Sequence, residues 1–413
     1  MRKILCCALV LFSLVKVLSG QPYTIENGKT RHRFAQLNIG LDARTFLSGG
    51  SQTYFVNSAG QLESRELKNH TETRIIIGGT HFWGHADFYI AIPVVSFDKK
   101  GFQTGAETGA KYFPWRIENN KVRPFVGMSM LPVSYRQGEG TTMKRFKYPI
   151  MAGVFYNHKN HLLELSGGFN YNNSGNYYIT ENQKVDLKTQ PFWISLGYKF
   201  MIETTLSAEK DWQSGRTKLL TDTLSRRKKL NGLTLAIGPS AAFYLKESDH
   251  NEEIAPYADQ HKSADIFPEF ALGYYFHKPD IHIGLAYRNV KSELKAFSFS
   301  QKASRQAFTL EAYKFFADYH GFAVFAGPAL SYEQLKVAET NKQLSDKGAF
   351  EGIKPGITFG WDIRPNRLQS WYLRTNLRYF PNLDVKMSDG KNVSFDQLEF
   401  NFIQFVVFPG RMF

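Results

Sequence analysis

The stretch RFAQLNIGLDARTF, residues 33 to 46, alternates from Ala35 to Arg44. Ala35, Leu37, Ile39, Leu41 and Ala43 share one parity; Gln36, Asn38, Gly40, Asp42 and Arg44 share the other. Side chains of a β-strand point to opposite faces in turn, so this period describes a strand with one apolar and one polar face. Its length is about that of a tilted strand crossing a membrane.

The pattern recurs in LTLAIGPSAAFYLK (233–246), DIHIGLAYR (280–288), KPGITFGWDIR (354–364) and WYLRTNLRYF (371–380). About sixteen such segments begin near residues 33, 73, 86, 105, 122, 148, 161, 190, 232, 266, 280, 306, 321, 352, 370 and 397. Without the weak segments near 73 and 105 the number is fourteen. Short connections such as Gly84-His85 and His158-Lys159-Asn160 alternate with longer polar ones at 46–72, 136–147, 172–189, 247–265, 337–351 and 381–396. That asymmetry suits a transmembrane barrel, with tight periplasmic turns and long outer loops. One connection breaks the rhythm. Residues 206–231 fall where a short turn is due, and Leu219, Leu220 and Leu224 have helical spacing among charges. A helical insertion at the periplasmic side is expected there, either solvated or capping the barrel.

Three hairpins resemble one another: RPFVGMSML…YPIMAGVFYN, LAIGPSAAFYL…FPEFALGYYF and FAGPALSYE…KPGITFGWDI. Each pairs a Gly-bearing strand with a returning strand that opens on Pro.

Residues 1–20 read as a secretory signal peptide. Arg2 and Lys3 precede the apolar run Ile4 to Val15, and small residues lead to a cleavage position near Gln21. Both cysteines, Cys6 and Cys7, lie in it, so the mature chain, 21–413, has no thiol for disulfides, metals or nucleophilic chemistry. Removing Arg2, Lys3 and Lys16 takes the net charge from +14 to +11. Such a charge favours anionic surroundings, among them lipopolysaccharide phosphates. Nucleic acid is not expected as a partner, because no nucleic-acid motif is present and the chain is exported.

Alternation also fits a soluble sandwich. Long strands, aromatics at strand ends in a chain that is 15% aromatic, and a polar parity rich in Gly, Ala and Ser favour a lipid-embedded barrel. The final segment, QLEFNFIQFVVFPGRMF (397–413), ends the chain on a strand. In a closed barrel the last strand pairs with the first, leaving no edge in lipid.

With its terminal aromatics Phe400, Phe402, Phe408 and Phe413, this segment resembles the C-terminal assembly signal of Gram-negative outer-membrane β-barrel proteins. The Tyr/Phe/Gly-rich, lysine-rich style is similar to barrels of the Bacteroidetes type. Pro409-Gly410 departs from that pattern by interrupting the alternation before Phe413. The resemblance implies an integral outer-membrane location and recognition by the barrel-assembly machinery. Lipid and lipopolysaccharide would surround the chain, and an envelope protein is a further possible partner.

The expected fold is therefore all-β: one closed antiparallel up-and-down barrel over 21–413. No Walker loop, H-E-x-x-H or G-x-S-x-G is present, and no cofactor, metal or catalytic residue is assigned. Asp249-His250, Glu252-Glu253, Asp259 and His261 form a loop cluster without a fixed ligand pattern. The functional candidates are charges on the polar parity: Arg44, Lys111, Lys199, Arg288, Asp362, Arg374 and Arg378. In an open pore such groups set ion preference; in a closed one they pair across strands. The corresponding functions are a porin-like channel or transporter for small polar solutes, or a closed barrel with a structural or surface-binding role in an envelope complex. A lipid-modifying enzyme would need clustered His, Ser and acid groups at one rim.

Overall fold

The computed structural model describes residues 35–411 apart from 58, 97–101, 137–141, 204–214, 246–247, 259–263, 320, 343 and 365–369. Residues 1–20, expected from the sequence to be a signal peptide, and Asp259, His261 and Phe413 lie outside the described residues.

Eight antiparallel strands form a first ring: β1 (Ala35–Leu47), β2 (His70–His81), β3 (Ala86–Ser96), β4 (Glu107–Tyr112), β5 (Lys121–Arg136), β6 (Pro149–His158), β7 (His161–Asn170) and β8 (Phe192–Glu203). Neighbours in sequence pair, and β1 closes on β8 with Ala43 opposite Leu196. A second ring follows: β9 (Gly232–Tyr244), β10 (Ala264–Phe276), β11 (Ile281–Ala296), β12 (Phe299–Tyr319), β13 (Phe322–Asn341), β14 (Leu344–Ile363), β15 (Trp371–Phe380) and β16 (Gln397–Val407). It closes with Ile237 of β9 opposite Phe405 of β16.

The strands thus do not make the single ring over 21–413 that the alternation suggests. The last strand pairs with β9 and β15, and β1 is already taken by β8. Turn lengths specify which strands are neighbours in sequence; they do not specify where a ring closes. The break in rhythm at 206–231 is the connection between the rings, carrying helix α1 (Gly215–Arg226).

A second difference concerns 337–351. It is not a loop: β13 and β14 run through it, with Asn341 opposite Leu344. Here most outward positions are polar or small (Lys336, Ala338, Thr340, Lys347), so the hydrophobic alternation stops while the strand continues. Inward, Leu335 and Val337 pack under a small hairpin (Asp384–Lys386, Asn392–Ser394) through Leu383, Val385, Met387, Val393 and Phe395. Over the first ring, four loop strands form their own sheet: Gln52–Val56, Leu62–Glu66, Ser174–Thr180 and Gln183–Lys188.

The rings repeat one plan. Phe125 on β5 faces Gly153 on β6, and Phe325 on β13 faces Gly360 on β14. These are the fifth and sixth strands of each ring. A methyl added at Gly153 would fall 2.8 Å from the Phe125 ring; at Gly360 it would fall 2.6 Å from Phe325. Glycine admits the aromatic ring into the crowded interior at both places. Two of the three similar hairpins in the sequence are these equivalents.

The closing strand β16 carries one extra residue between Asn401 and Gln404 relative to both neighbours. This β-bulge moves Phe405 outward and Phe408 inward, which explains why the terminal segment is apolar on both parities. Thr375 Oγ1 donates to the Phe402 carbonyl at 2.8 Å, supplying a partner that the interrupted ladder lacks.

The rings stand side by side in the same direction. At the turn end Phe82 packs on Phe322 (ring centroids 5.0 Å) and Phe88 on Trp361 (6.5 Å). At the loop end Tyr178 packs on Tyr257, and Glu181 accepts from the Ser298 hydroxyl and faces Lys342 Nζ at 3.4 Å. If each ring is complete in itself, segments 33–205 and 230–413 produced separately will both refold in detergent. Each should show a β-sheet circular dichroism spectrum and heat-modifiable migration; failure of both would contradict two self-closed rings.

Candidate functional site

The polar parity of every barrel strand points inward, and eight strands enclose a space just wide enough for side chains to fill. In the first ring, Arg44 Nη1 donates to Glu107 Oε2 at 2.7 Å, and Tyr89 Oη donates to Glu107 Oε1 at 2.9 Å. Arg74 bridges Glu107 and Asp42, with Nε 2.8 Å from Asp42 Oδ1. Lys111 Nζ donates to Glu164 at 2.6 Å. Lys199 Nζ donates to Asp87 Oδ2 at 2.7 Å, and Asn38 Nδ2 donates to the other oxygen at 2.9 Å. The Arg44 guanidinium lies over the Trp193 ring, 3.8 Å from its centroid.

The second ring has the same chemistry with other residues. Arg378 donates to Glu269 (2.5 and 2.8 Å) and to Glu311 (3.1 Å). Arg305 holds Glu333 through two nitrogens at 2.7 and 2.6 Å and reaches Glu399 at 2.5 Å; Arg288 contacts Glu399 from the other side. Asp362 takes Arg374 Nε at 2.7 Å and Arg364 at 3.2 Å.

Arg44, Lys111 and Lys199 therefore sit in the first interior, and Arg288, Asp362, Arg374 and Arg378 in the second. All seven are at most 5% exposed. That figure decides between a wet and a filled lumen: a charge lining an aqueous passage keeps its water, and these have exchanged it for each other. Arg123 and Lys354, on the inward parity of β5 and β14, lie at the ends of the rings instead. Arg123 pairs with Glu118 in the turn before β5, and Lys354 Nζ donates to the Asn382 carbonyl at 2.6 Å. Arg74 and Arg305 are central to the networks, yet neither was marked by the sequence. Arg74 lies in the weak segment near 73, and Arg305 just before the segment starting near 306.

Of the terminal aromatics, Phe400 and Phe402 lie against each other on the outer face (centroids 4.4 Å). Phe408 is buried and packs on Tyr372 and Tyr275 at the turn end of the second ring.

The loop cluster resolves into a latch. Helix α2 (Asp249–Ile254) lies over the loop end of the second ring. Its His250 is buried between two carboxylates: Nδ1 is 3.0 Å from Asp389 Oδ2 in the small hairpin, and Nε2 is 3.0 Å from Glu339 on β13. Gln301 and Asn251 exchange amide hydrogen bonds beside it at 3.1 and 2.9 Å. The Lys391 backbone N–H, and then His250, hold the Asp389 carboxyl below its ordinary range. Asp389 thus supports the latch fully above the ordinary carboxylate range and loses that contribution as pH falls through its lowered value. Among the described residues, no three His, Cys, Asp or Glu side chains converge as a metal site.

No family model matches the chain, and no curated protein matches it. Solved structures that it resembles are outer-membrane β-barrel proteins of Gram-negative bacteria. The attachment invasion locus protein Ail of Yersinia pestis is 10% identical, covering 43% of this chain and 97% of its own, with a TM-score of 0.28. The COG4313 outer membrane channel of Pseudomonas putida F1 is 9% identical, covering 92% and 97%, with a TM-score of 0.23. OmpT, an outer membrane protein of Vibrio cholerae, is 8% identical, covering 91% and 97%, with a TM-score of 0.18. At these scores no residue or function is transferred from them.

Two outcomes follow from the geometry. Arg378→Ala leaves Glu269 and Glu311 buried without their cation, and should destabilise the folded protein by about 3–5 kcal/mol in denaturant titrations of the refolded chain. His250→Ala should leave both rings closed but speed protease cleavage between residues 245 and 263, because α2 loses its tie to Glu339 and Asp389.

Proposed function

We propose that the chain is an integral outer-membrane protein whose two closed barrels serve as a non-conducting anchor, with its work done by the loop face and the outer surface. The observation that carries this reading is the pairing of the interior charges at nearly zero exposure in both rings. A porin-like path for solutes, the other reading of the same lumenal charges, would require breaking several buried ion pairs at once.

Membrane embedding is supported by the belt around both rings. Leu41, Leu165, Leu196, Ile266, Ile357 and Phe270 are among many large apolar side chains about half exposed or more. Water-soluble monomers rarely leave contiguous apolar patches beyond a few hundred Å². No helix among the described residues is long and apolar enough to cross a membrane, which does not bear on crossing by strands. On this reading the short turns and α1 face the periplasm, and the loop sheet, α2 and the small hairpin face outward. Phe400 and Phe402, on the outer face of the closing strand, are the aromatics offered to the assembly machinery. Catalysis is not part of the proposal: both ring nitrogens of His250 are occupied by carboxylates, leaving neither to activate a nucleophile.

Purified protein should float with phospholipid vesicles in a density gradient and give no stepwise current across a planar bilayer. A steady ohmic conductance of porin size would overturn the anchor reading in favour of a channel.

A further inference from the structure

The outer surface of the second ring has a feature that neither lumen shares. A groove of about 570 Å³ lies on its outside, lined by Leu235, Ile237, Phe270, Leu272, Leu285 and Phe308 among others, and almost wholly apolar. It spans β16, β9, β10, β11 and β12, four interstrand spacings or roughly 19 Å across. At its loop-side rim Tyr287 lies tilted against Phe308, with ring centroids 5.0 Å apart.

Directly above that rim the outward residues become polar in ordered rows. Asn289, Gln306 and Gln334 lie opposite one another on β11, β12 and β13; two residues further out so do Lys291, Ser304 and Lys336. The lysine backbones are two interstrand spacings apart, about 10 Å, with the serine hydroxyl between them. The row is four residues, about 13 Å of strand, above Tyr287. Lys291 and Lys336 form no ion pair among the described residues, whereas the interior charges are paired. The acids on adjacent outward positions have hydrogen-bonded or ion-paired partners of their own, although Glu351 also feels the charge of Lys336. Glu293 takes Lys295 at 3.0 Å and Lys302 at 3.6 Å; Glu351 takes the Tyr332 hydroxyl. Lys347, opposite Ala338, adds a further cation one row out.

We infer that this face binds a phosphorylated, multiply acylated glycolipid of the outer leaflet, with a phosphate over Ser304 between Lys291 and Lys336 and acyl chains along the groove below. The inference rests on the membrane reading above, which places the loop end, and so this row, in the outer leaflet. Two ammonium groups flanking a hydroxyl, at the depth where an apolar belt ends, complement a phosphate held at the lipid–water boundary. The breadth of the groove suits an amphiphile with several parallel chains better than one with two.

The test uses the full mature chain refolded from denaturant in non-ionic detergent, so that it carries no lipid from the cell. The probes are bisphosphorylated lipid A, its dephosphorylated form, phosphatidylglycerol and inorganic phosphate, with bound lipid counted by native mass spectrometry. Wild type should hold lipid A about tenfold more tightly than phosphatidylglycerol or the dephosphorylated form, and should not hold phosphate alone. K291Q/K336Q should lose about thirtyfold in lipid A affinity, as expected at about 1 kcal/mol for each of two cation contacts near a charged membrane surface. K314Q, an exposed lysine on β12 toward the turn end, should lose none. Unchanged lipid A binding by K291Q/K336Q, or equal binding of any other probe by wild type, overturns the site. Flotation separates the two readings. Protein that floats with vesicles but does not discriminate between lipids removes only this site, while protein that does not float removes the membrane reading and this site with it.

Discussion

Ring closure is the constraint on which the rest depends. Every strand presents a row of N–H and C=O groups on each edge, and groups left without partners away from water are costly. The chain meets this demand twice, at β1–β8 and at β9–β16, so neither half leaves its edges for the other to complete. From this follow the small circumference, the filled interiors and the dependence on side-chain pairing inside. Eight strands leave space for side chains and little else.

The interiors then face an energetic problem of their own. Taking an ion from water into a low-dielectric space is expensive, and mutual attraction offsets it only where geometry and hydrogen bonding are good. The networks meet that condition by sharing. Glu107 is held by Arg44, Arg74 and Tyr89, and Glu399 by Arg288 and Arg305. Their partners come from different strands, so the pairs fix the register of strands that hydrogen bonds alone would allow to slip. A shift of one residue would turn the charges outward into the apolar belt.

Much of this was legible in the residues. Alternation located the barrel strands, because a half-buried strand writes its two faces directly into the chain. The polar parity likewise located Arg44, Lys199, Arg288 and Arg378. The number of rings was not legible, since the closing partner of a strand can lie anywhere and leaves no local mark. The one hint was negative: 206–231 was too long for the turn it replaced. Nor was the upper part of β13 and β14, where neither face touches the apolar belt and the period loses its contrast. The bulge in β16 hid the alternation at Phe402-Ile403, although the repeated aromatics still showed a strand. Arg74 and Arg305 escaped because each adjoins a segment whose pattern is weak, and a charge reveals its side only through its neighbours.

The contacts between the rings occur at two levels, Phe82 with Phe322 at one end and Glu181 with Ser298 at the other. A single hinge between two cylinders would let them roll and splay. Fastening at both heights removes those freedoms and makes the pair one plank. The four-stranded loop sheet above one cylinder and the helix-and-hairpin cap above the other are thereby held at a constant spacing, so a ligand large enough to span both would meet a preformed composite face and lose little entropy in bringing its halves together.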